Sequence, residues 1–281
     1  GINAPLNLVG LEVVTRNFLQ ELGVSETDID KYIAGPGFMA WFAMNNLEGW
    51  GSTINATDVA MNGNPDWWYD RQEELCKKML QRMRELGMQP VIPGFSGQVP
   101  NCIVNYTIDG FSSSHVINNG SWAGGYTRPD ILNPSKTSYA TFAPIYYKHL
   151  HAVMGVSELY SMDPFHEGGR TNGVNLKEAF HTIYQEMQKH APGAVWAMQA
   201  WGENPRQEAL DTLPKGGLLV LDLYSEGLAK WKEQKGYSEH DFVWCMLHNF
   251  GGKTGMHGRF ETMLESYYNA LEQYPNGAKG I

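Results

Sequence analysis

The chain has 281 residues, of which 42% are hydrophobic, so it is long enough to bury the core of one large domain. It carries 21 Lys and Arg residues against 30 Asp and Glu residues, a formal net charge of −9, with no basic cluster. This balance argues against nucleic acid or an anionic membrane surface as a partner. The longest apolar runs are far shorter than a membrane span.

Short apolar segments recur along the chain and predict β-strands. They are continuous apolar runs rather than alternating ones, which is typical of parallel strands that are covered on both faces. In chain order, six strands are expected at 3–9, 89–95, 158–165, 194–200, 218–224 and 242–250.

Helical patterns separate these strands. Ser25 is expected to cap a short helix, and Gly87 to end the longest one. A loop rich in Gly, Ser and Asn is predicted from Ser96 to Pro134, and a loop of that length is usually functional. The longer helices are expected at Leu11–Leu22, Trp67–Leu86, Thr137–Met154, Leu176–His190, Pro205–Leu213, Leu228–Lys235 and Phe260–Tyr274.

Alternating strands and helices indicate either a (β/α)8 TIM-like barrel or a doubly wound open sheet. No Gly-x-Gly-x-x-Gly follows the first strand and no phosphate loop is present, which argues against the nucleotide-binding open sheet. Polar and aromatic residues follow several strands in succession, from Glu12 to His248, and a barrel gathers all such positions at one mouth. We therefore predict an incomplete barrel, with about six of its eight strands recognised.

Two acids, Asp163 and Glu167, lie where the third predicted strand ends, and Gly168 and Gly169 follow them. A glycosidase needs one protonated carboxyl to donate to the leaving oxygen and an ionised one on the opposite side of the sugar. Glu167 fits the role of the proton donor, because the two glycines that follow it leave room for a substrate. Asp163 fits better as a buried hydrogen-bond acceptor.

The tryptophans give a second indication of sugar binding, because aromatic faces stack on the C–H surface of pyranose rings. Trp201 is expected at a strand end, as a wall of a pocket or as a packing residue. Three interpretations of Asp222 stay open: a second catalytic carboxylate, an acceptor for substrate hydroxyls, or a cap of a neighbouring backbone group. His248 with Asn249 lacks another His or carboxylate at ligand spacing, so we expect neither a metal nor a cofactor.

The sequence resembles the α-N-acetylglucosaminidases, family 89 of the glycoside hydrolases, over almost its whole length. Eight blocks in the same order carry the resemblance. They are Gly1-Ile-Asn3, Gly35-Pro-Gly-Phe-Met-Ala-Trp41 with Met44-Asn-Asn-Leu47, Pro90-Val-Ile-Pro-Gly-Phe-Ser-Gly97 with Val99-Pro100, Gly120-Ser-Trp122, Asp163-Pro-Phe-His-Glu167, Ala194-Val-Trp-Ala-Met-Gln-Ala-Trp201, Leu218-Leu-Val-Leu-Asp-Leu223 and Trp244-Cys-Met-Leu-His-Asn-Phe-Gly-Gly252.

The resemblance implies a retaining exo-hydrolase that removes terminal α-linked N-acetylglucosamine from a glycan, with Glu167 as the acid/base. It also implies export, to the outside of the cell, the periplasm or the lysosome. Some family members carry Asn where this chain has His166. The pocket residues that it implies are Trp41, Trp122, His166, Trp201, Leu223 and Leu247.

The resemblance further implies that residues 1–281 are a single catalytic barrel domain, truncated at both ends relative to the family. The family nucleophile belongs to a stretch expected after Ile281, so the chain by itself is expected to be inactive. Two rival hypotheses stay open. One is a carbohydrate-binding barrel without chemistry, and the other is a different retaining hexosaminidase, including one assisted by the substrate acetamido group. The latter is disfavoured because His166, not an acid, precedes Glu167.

Overall fold

The structure, a computed structural model, describes residues 2–33, 63–121, 128–247 and 259–281. Within these ranges it contains a large parallel sheet and a small antiparallel one. The strands are β1 (Val91–Pro93), β2 (Gln98–Val99), β3 (Val116–Ile117), β4 (Asp130–Leu132), β5 (Leu159–Ser161), β6 (Val195–Gln199), β7 (Leu218–Asp222), β8 (Asp241–Trp244) and β9 (Ala278–Gly280).

The predicted helices are present among the described residues, with ends that shift by at most two residues. Ser25 accepts a hydrogen bond from the Asp28 amide and caps its helix, as predicted. The helix expected at Leu228–Lys235 is reduced to a single turn. The helices are α1 (Leu11–Glu21), α2 (Glu26–Tyr32), α3 (Asp66–Glu85), α4 (Thr137–Met154), α5 (Leu176–His190), α6 (Gln207–Thr212), α7 (Lys230–Glu233) and α8 (Phe260–Gln273).

The large sheet has the order β1-β5-β6-β7-β8-β9, and every neighbouring pair in it is parallel. The order of the strands therefore follows the chain, and helices connect them, which is the arrangement of a (β/α)8 barrel wall. Beside β1, Leu6 forms a parallel bridge with Val91, and the Asn7 amide donates to the Val91 carbonyl at 2.9 Å. The predicted incomplete parallel barrel is confirmed.

Three parts of this architecture differ from the sequence prediction. The strand predicted at 3–9 does not form, and only the isolated bridge from Leu6 to Val91 lies at that edge of the sheet. The strand β9 was not expected, and it extends the sheet next to β8. The loop predicted from Ser96 to Pro134 contains the antiparallel sheet β2-β4-β3 and two short 3₁₀ helices, Asn101–Asn105 and Ser113–His115. These strands are only two or three residues long, too short for a hydrophobic period to show in the sequence.

A cluster of buried aromatic rings lies behind β1 and explains part of the Pro90–Gly97 block. The Phe95 ring stacks on Tyr139 and Tyr146, with centroids 5.2 and 5.0 Å apart. Phe18 of α1 meets the same ring edge-on at 5.6 Å. The Tyr139 hydroxyl also donates to the Phe95 carbonyl at 2.6 Å. Contacts of this kind add to the burial of apolar area, so this block anchors the barrel wall to α1 and α4.

The glycines of the same block are required by the close approach of their neighbours. A Cβ at Gly94 would lie 2.6 Å from the Met162 sulfur. Gly97 has φ +95°, and a Cβ there would lie 2.8 Å from the Leu132 carbonyl oxygen. The Leu132 amide donates to the Gly97 carbonyl at 2.7 Å, so β4 cannot move away without losing this hydrogen bond.

Gly97→Ala is expected to lower the free energy of unfolding of the full-length protein by about 3 kcal/mol, through backbone strain plus a clash with backbone. Gly87→Ala is the matched control, because Gly87 has φ +73° and open space around its Cβ position. Gly87→Ala should therefore lose only the free energy that the backbone strain costs, about 1 kcal/mol. Urea unfolding of both variants checks this, and equal losses would show that the approach of Leu132 is not limiting.

The carboxyl ends of the parallel strands lie at one end of the barrel wall, which we call the mouth. The residues that follow β5, β6, β7 and β8 are therefore the ones that the barrel wall brings to the mouth.

No helix among the described residues is both long enough and apolar enough to cross a bilayer.

Candidate active site

The chain leaves the barrel wall at Ser161 and turns through residues 163–169, which we call the Glu167 loop. The strand predicted up to Phe165 is shorter than expected, because Phe165 (φ 56°) and Glu167 (φ 47°) adopt the left-handed conformation. A Cβ at Gly169 would lie 2.9 Å from the Phe165 Cα, so only glycine fits this turn. The loop thus places Glu167 at the mouth and not in the strand.

Two of the predicted site residues meet directly. The Trp201 indole Nε1 donates a hydrogen bond to the Glu167 carboxylate Oε1, although the two residues are 34 positions apart. Trp201 follows β6 and Glu167 follows β5, so adjacent strand ends bring them together. The Glu167 side chain keeps 21% of its surface exposed. The side chain is therefore held by the indole at Oε1 and remains partly exposed.

His166 lies beside this carboxyl, with its Nε2 atom 4.0 Å from Glu167 Oε1. Its side chain is fully buried, and this burial lowers the pKa of the imidazole to about 4. The ring is thus neutral at ordinary pH, and 4.0 Å is too long for a hydrogen bond. The pair is a close contact between a neutral imidazole and a carboxyl, not an ion pair.

The two other acids considered from the sequence have structural partners. Asp163 is fully buried, and its Oδ1 accepts from the Gln199 amide at 2.8 Å, which confirms the predicted acceptor role. Asp222 is also fully buried, and its Oδ2 accepts from the Trp231 amide at 2.6 Å and from the Tyr237 hydroxyl at 2.9 Å. Burial raises the pKa of the Asp222 carboxyl. Of the readings left open for Asp222, the geometry favours the backbone cap.

Of the remaining predicted site residues, the structure describes only two. Leu223 and Leu247 follow β7 and β8 at the mouth and are half-buried, and the Leu247 amide donates to Glu226 Oε1 at 3.1 Å. Their predicted contact with a sugar stays a prediction. Trp41, Trp122 and His248 with Asn249 lie outside the described residues.

Three charged residues at the mouth were missed by sequence reasoning. Arg128 is buried and donates to the carbonyls of His166 and Glu167. The Glu203 Oε2 accepts from the Gly168 amide at 3.0 Å. Glu226 is buried beside the Leu247 backbone. The position of Glu203, four residues after the end of β6 (Val195–Gln199), was a signal that could have been used, whereas nothing in the sequence marks Arg128.

The hydrogen bond from Gly168 is the main influence that lowers the pKa of the Glu203 carboxyl, so Glu203 is ionised at neutral pH. Lys230 lies behind it and donates to the carbonyls of Gly202 and Asn204. Across the ranges that the structure describes, no group of His, Cys, Asp and Glu is arranged to hold a metal ion. A partly exposed carboxyl with one fixed donor, such as that of Glu167, is able to transfer a proton.

Comparisons with known proteins agree with this fold. The chain matches, over residues 1–281, the family described as Alpha-N-acetylglucosaminidase (NAGLU) tim-barrel domain. It is 29% identical to human alpha-N-acetylglucosaminidase over 290 residues, covering 98% of this chain and 37% of that protein.

A family 89 glycoside hydrolase from Clostridium perfringens has been solved in complex with 2-acetamido-1,2-dideoxynojirmycin. It is 32% identical, with a TM-score of 0.84, over 100% of this chain and 31% of that one. A variant of the clostridial enzyme with two Glu→Gln substitutions, solved with its substrate GlcNAc-alpha-1,4-galactose, is also 32% identical, with a TM-score of 0.83 over 99% of this chain and 31% of that one.

A parallel barrel wall with a carboxyl and an indole at its mouth fits the barrel domain of a glycoside hydrolase, the class of the solved relatives. The chain belongs to the α-N-acetylglucosaminidase tim-barrel family. It spans about a third of the length of these relatives.

Proposed function

We propose that the full-length protein is a retaining exo-glycosidase that removes terminal α-linked N-acetylglucosamine from a glycan, with Glu167 as its general acid/base. The observation that carries the proposal is the Glu167 carboxyl, held by the Trp201 indole at the mouth of a family 89 barrel. The substrate class rests on the clostridial relative, whose substrate is GlcNAc-alpha-1,4-galactose. The partner of this protein is therefore a glycan, and no nucleic acid or cofactor enters the reaction.

In this mechanism Glu167 donates its proton to the glycosidic oxygen while a second carboxylate attacks the anomeric carbon. The bond to the leaving sugar breaks, and a glycosyl-enzyme ester forms. Glu167, now ionised, takes a proton from a water molecule, whose oxygen attacks the anomeric carbon and displaces the enzyme carboxylate, so that N-acetylglucosamine leaves with its α-configuration retained. The Trp201 indole supports the ionised form, since its N–H can donate to a carboxylate.

We place the second carboxylate after Ile281, on the continuation of β9. Retention requires the two carboxyls to be about 5–5.5 Å apart. Asp163 and Asp222 are fully buried, and like Glu203 and Glu226 each accepts a hydrogen bond from a backbone amide, so we assign the attack on the sugar to none of these four. The strand β9 lies parallel to β8, and a residue that follows it would reach the same mouth. The variant of the clostridial relative, with two glutamates replaced, is consistent with a pair of catalytic acids.

The hydrophobic residues Leu223 and Leu247 are proposed to contact the bound sugar, with Trp201 as one wall. The resemblance also implied a sugar contact for His166, but its side chain is fully buried, so the neutral ring is proposed to pack beside the Glu167 carboxyl and not to touch the sugar. Trp41 and Trp122, which lie outside the described residues, complete the proposed pocket by resemblance only.

The proposal is tested by assaying the full-length protein on aryl glycosides of α- and β-linked N-acetylglucosamine and N-acetylgalactosamine, and by following the first product with NMR. We expect hydrolysis of the α-N-acetylglucosaminide alone, with α-N-acetylglucosamine as the first product. Cleavage of a β-linked substrate would favour another hexosaminidase. Binding of N-acetylglucosamine with no cleavage of any substrate would favour the carbohydrate-binding barrel.

A further inference from the structure

The Glu167 loop adopts a backbone that the chain does not favour by itself. Phe165 and Glu167 both have positive φ, and each such residue other than glycine costs about 1 kcal/mol or more. A loop of this kind persists only when contacts from outside hold it. The contacts that hold it therefore also decide where the Glu167 carboxyl points.

Four consecutive carbonyls of this loop are bound by side chains from other parts of the chain. Asn204 Nδ2 donates to the Pro164 carbonyl at 3.1 Å, and Arg206 Nη2 to the Phe165 carbonyl at 3.1 Å. Arg128 donates to the next two carbonyls, from Nη1 to His166 at 3.1 Å and from Nη2 to Glu167. Arg128 is thus the residue that fixes the backbone of Glu167 itself.

The chemistry of Arg128 suits this task. Its planar guanidinium presents two N–H groups in a fixed fork, so it sets the direction as well as the distance of two adjacent carbonyls. Only 4% of the residue is exposed, and this burial is the main influence on its pKa, which it lowers. The carboxylates of Glu167 and Glu203 oppose that effect, and an arginine keeps its charge in proteins.

The opposite side of the loop is held by the segment after β6. The Glu203 carboxylate accepts from the Gly168 amide, and a Cβ at Gly202 would lie 3.3 Å from the Glu167 backbone nitrogen and Cα. Lys230 in turn holds the carbonyls of Gly202 and Asn204. The Glu167 backbone therefore lies between Arg128 on one side and the Gly202–Glu203 turn on the other.

We propose that Arg128 is a positioning residue of the glycosidase, which holds the Glu167 backbone so that the acid's carboxyl faces the bond to be cleaved. The inference rests on the proposed role of Glu167 as general acid. Arg128 itself does not touch the substrate in this account. Its loss should therefore impair proton donation and leave sugar binding in place.

The test compares Arg128→Gln with the wild type in the full-length protein, on a disaccharide, GlcNAc-α-1,4-galactose, and on a dinitrophenyl α-N-acetylglucosaminide. The disaccharide needs a proton on its leaving oxygen, and the dinitrophenolate does not. We expect kcat/KM to fall about 100-fold on the disaccharide and less than about 5-fold on the aryl glycoside, since small misplacements of a catalytic group cost that much. Arg170→Gln is the matched control, because Arg170 is exposed and its side chain binds Asn118. Both of its rates should stay at the wild-type level.

Equal losses on the two substrates would overturn the positioning role, as would a lower melting temperature with unchanged rates. If Arg128→Gln does not fold, Arg128→Lys gives the same comparison, because lysine keeps the charge but lacks the planar fork. Its expected selective loss on the disaccharide is about 10-fold. Glu167→Gln is measured in parallel. If that variant shows no selective loss, the proposed function fails, whereas a selective loss there with none at Arg128 removes the positioning role alone.

Discussion

Glu167→Gln in the full-length protein is expected to lower kcat/KM on GlcNAc-α-1,4-galactose by about 1,000-fold, because a general acid contributes roughly 10²–10⁴-fold. On a dinitrophenyl α-N-acetylglucosaminide the loss in kcat/KM should be smaller than about 10-fold, because this leaving group departs without protonation. Glutamine still offers an oxygen to the Trp201 indole, so the hydrogen bond that holds the side chain can persist. Steady-state kinetics on the two substrates measure the difference.

The matched control is Glu272→Gln, which makes the same change at an exposed position of the last helix, α8. It should leave both rates unchanged. An equal loss on both substrates in Glu167→Gln would contradict the acid role and would instead indicate a loss of substrate binding.

Asp222→Ala is expected to lower the free energy of unfolding by about 3 kcal/mol, because it leaves buried donors without an acceptor. The donors are the Trp231 amide and the Tyr237 hydroxyl, and both residues are fully buried. Urea unfolding of the full-length protein measures the loss, provided that the barrel unfolds in a single transition.

Asp222→Asn is the milder variant, since both donors bind the same oxygen, Oδ2, and an amide oxygen at that position can still accept from both. It should destabilise less than Asp222→Ala and keep the wild-type kcat at temperatures where it is folded. A folded, fully stable Asp222→Asn without activity would make Asp222 the second catalytic carboxylate and remove the need for one after Ile281.

The barrel could be predicted because its strands are buried on both faces. Val195–Gln199 and Leu218–Asp222 are such runs, and helices α5 and α6 separate them from their neighbours. The strand β9 was missed because Ala278–Gly280 includes an exposed lysine and no apolar run. Its pairing with β8 defines it as a strand, and pairing between distant segments cannot be read from the three residues alone.

The site residues that directly follow a strand were predicted from the sequence, whereas the residue that binds backbone carbonyls of the Glu167 loop was missed. Glu167 and Trp201 each follow an apolar run, so the rule that parallel strands share one mouth brings them together. Arg128 instead binds carbonyl groups, which every residue has, and no sequence pattern indicates which carbonyl an arginine will reach. The left-handed turn at Glu167 was likewise hidden, because glutamate does not favour that conformation.

The most direct test of the account is a crystal structure of the full-length Glu167→Gln variant with intact GlcNAc-α-1,4-galactose bound. We expect the carboxamide at position 167 to lie about 3 Å from the glycosidic oxygen, with the indole of Trp201 on its other side. A disaccharide bound away from this mouth, or a glycosidic oxygen that faces another acid, would contradict the assignment of Glu167.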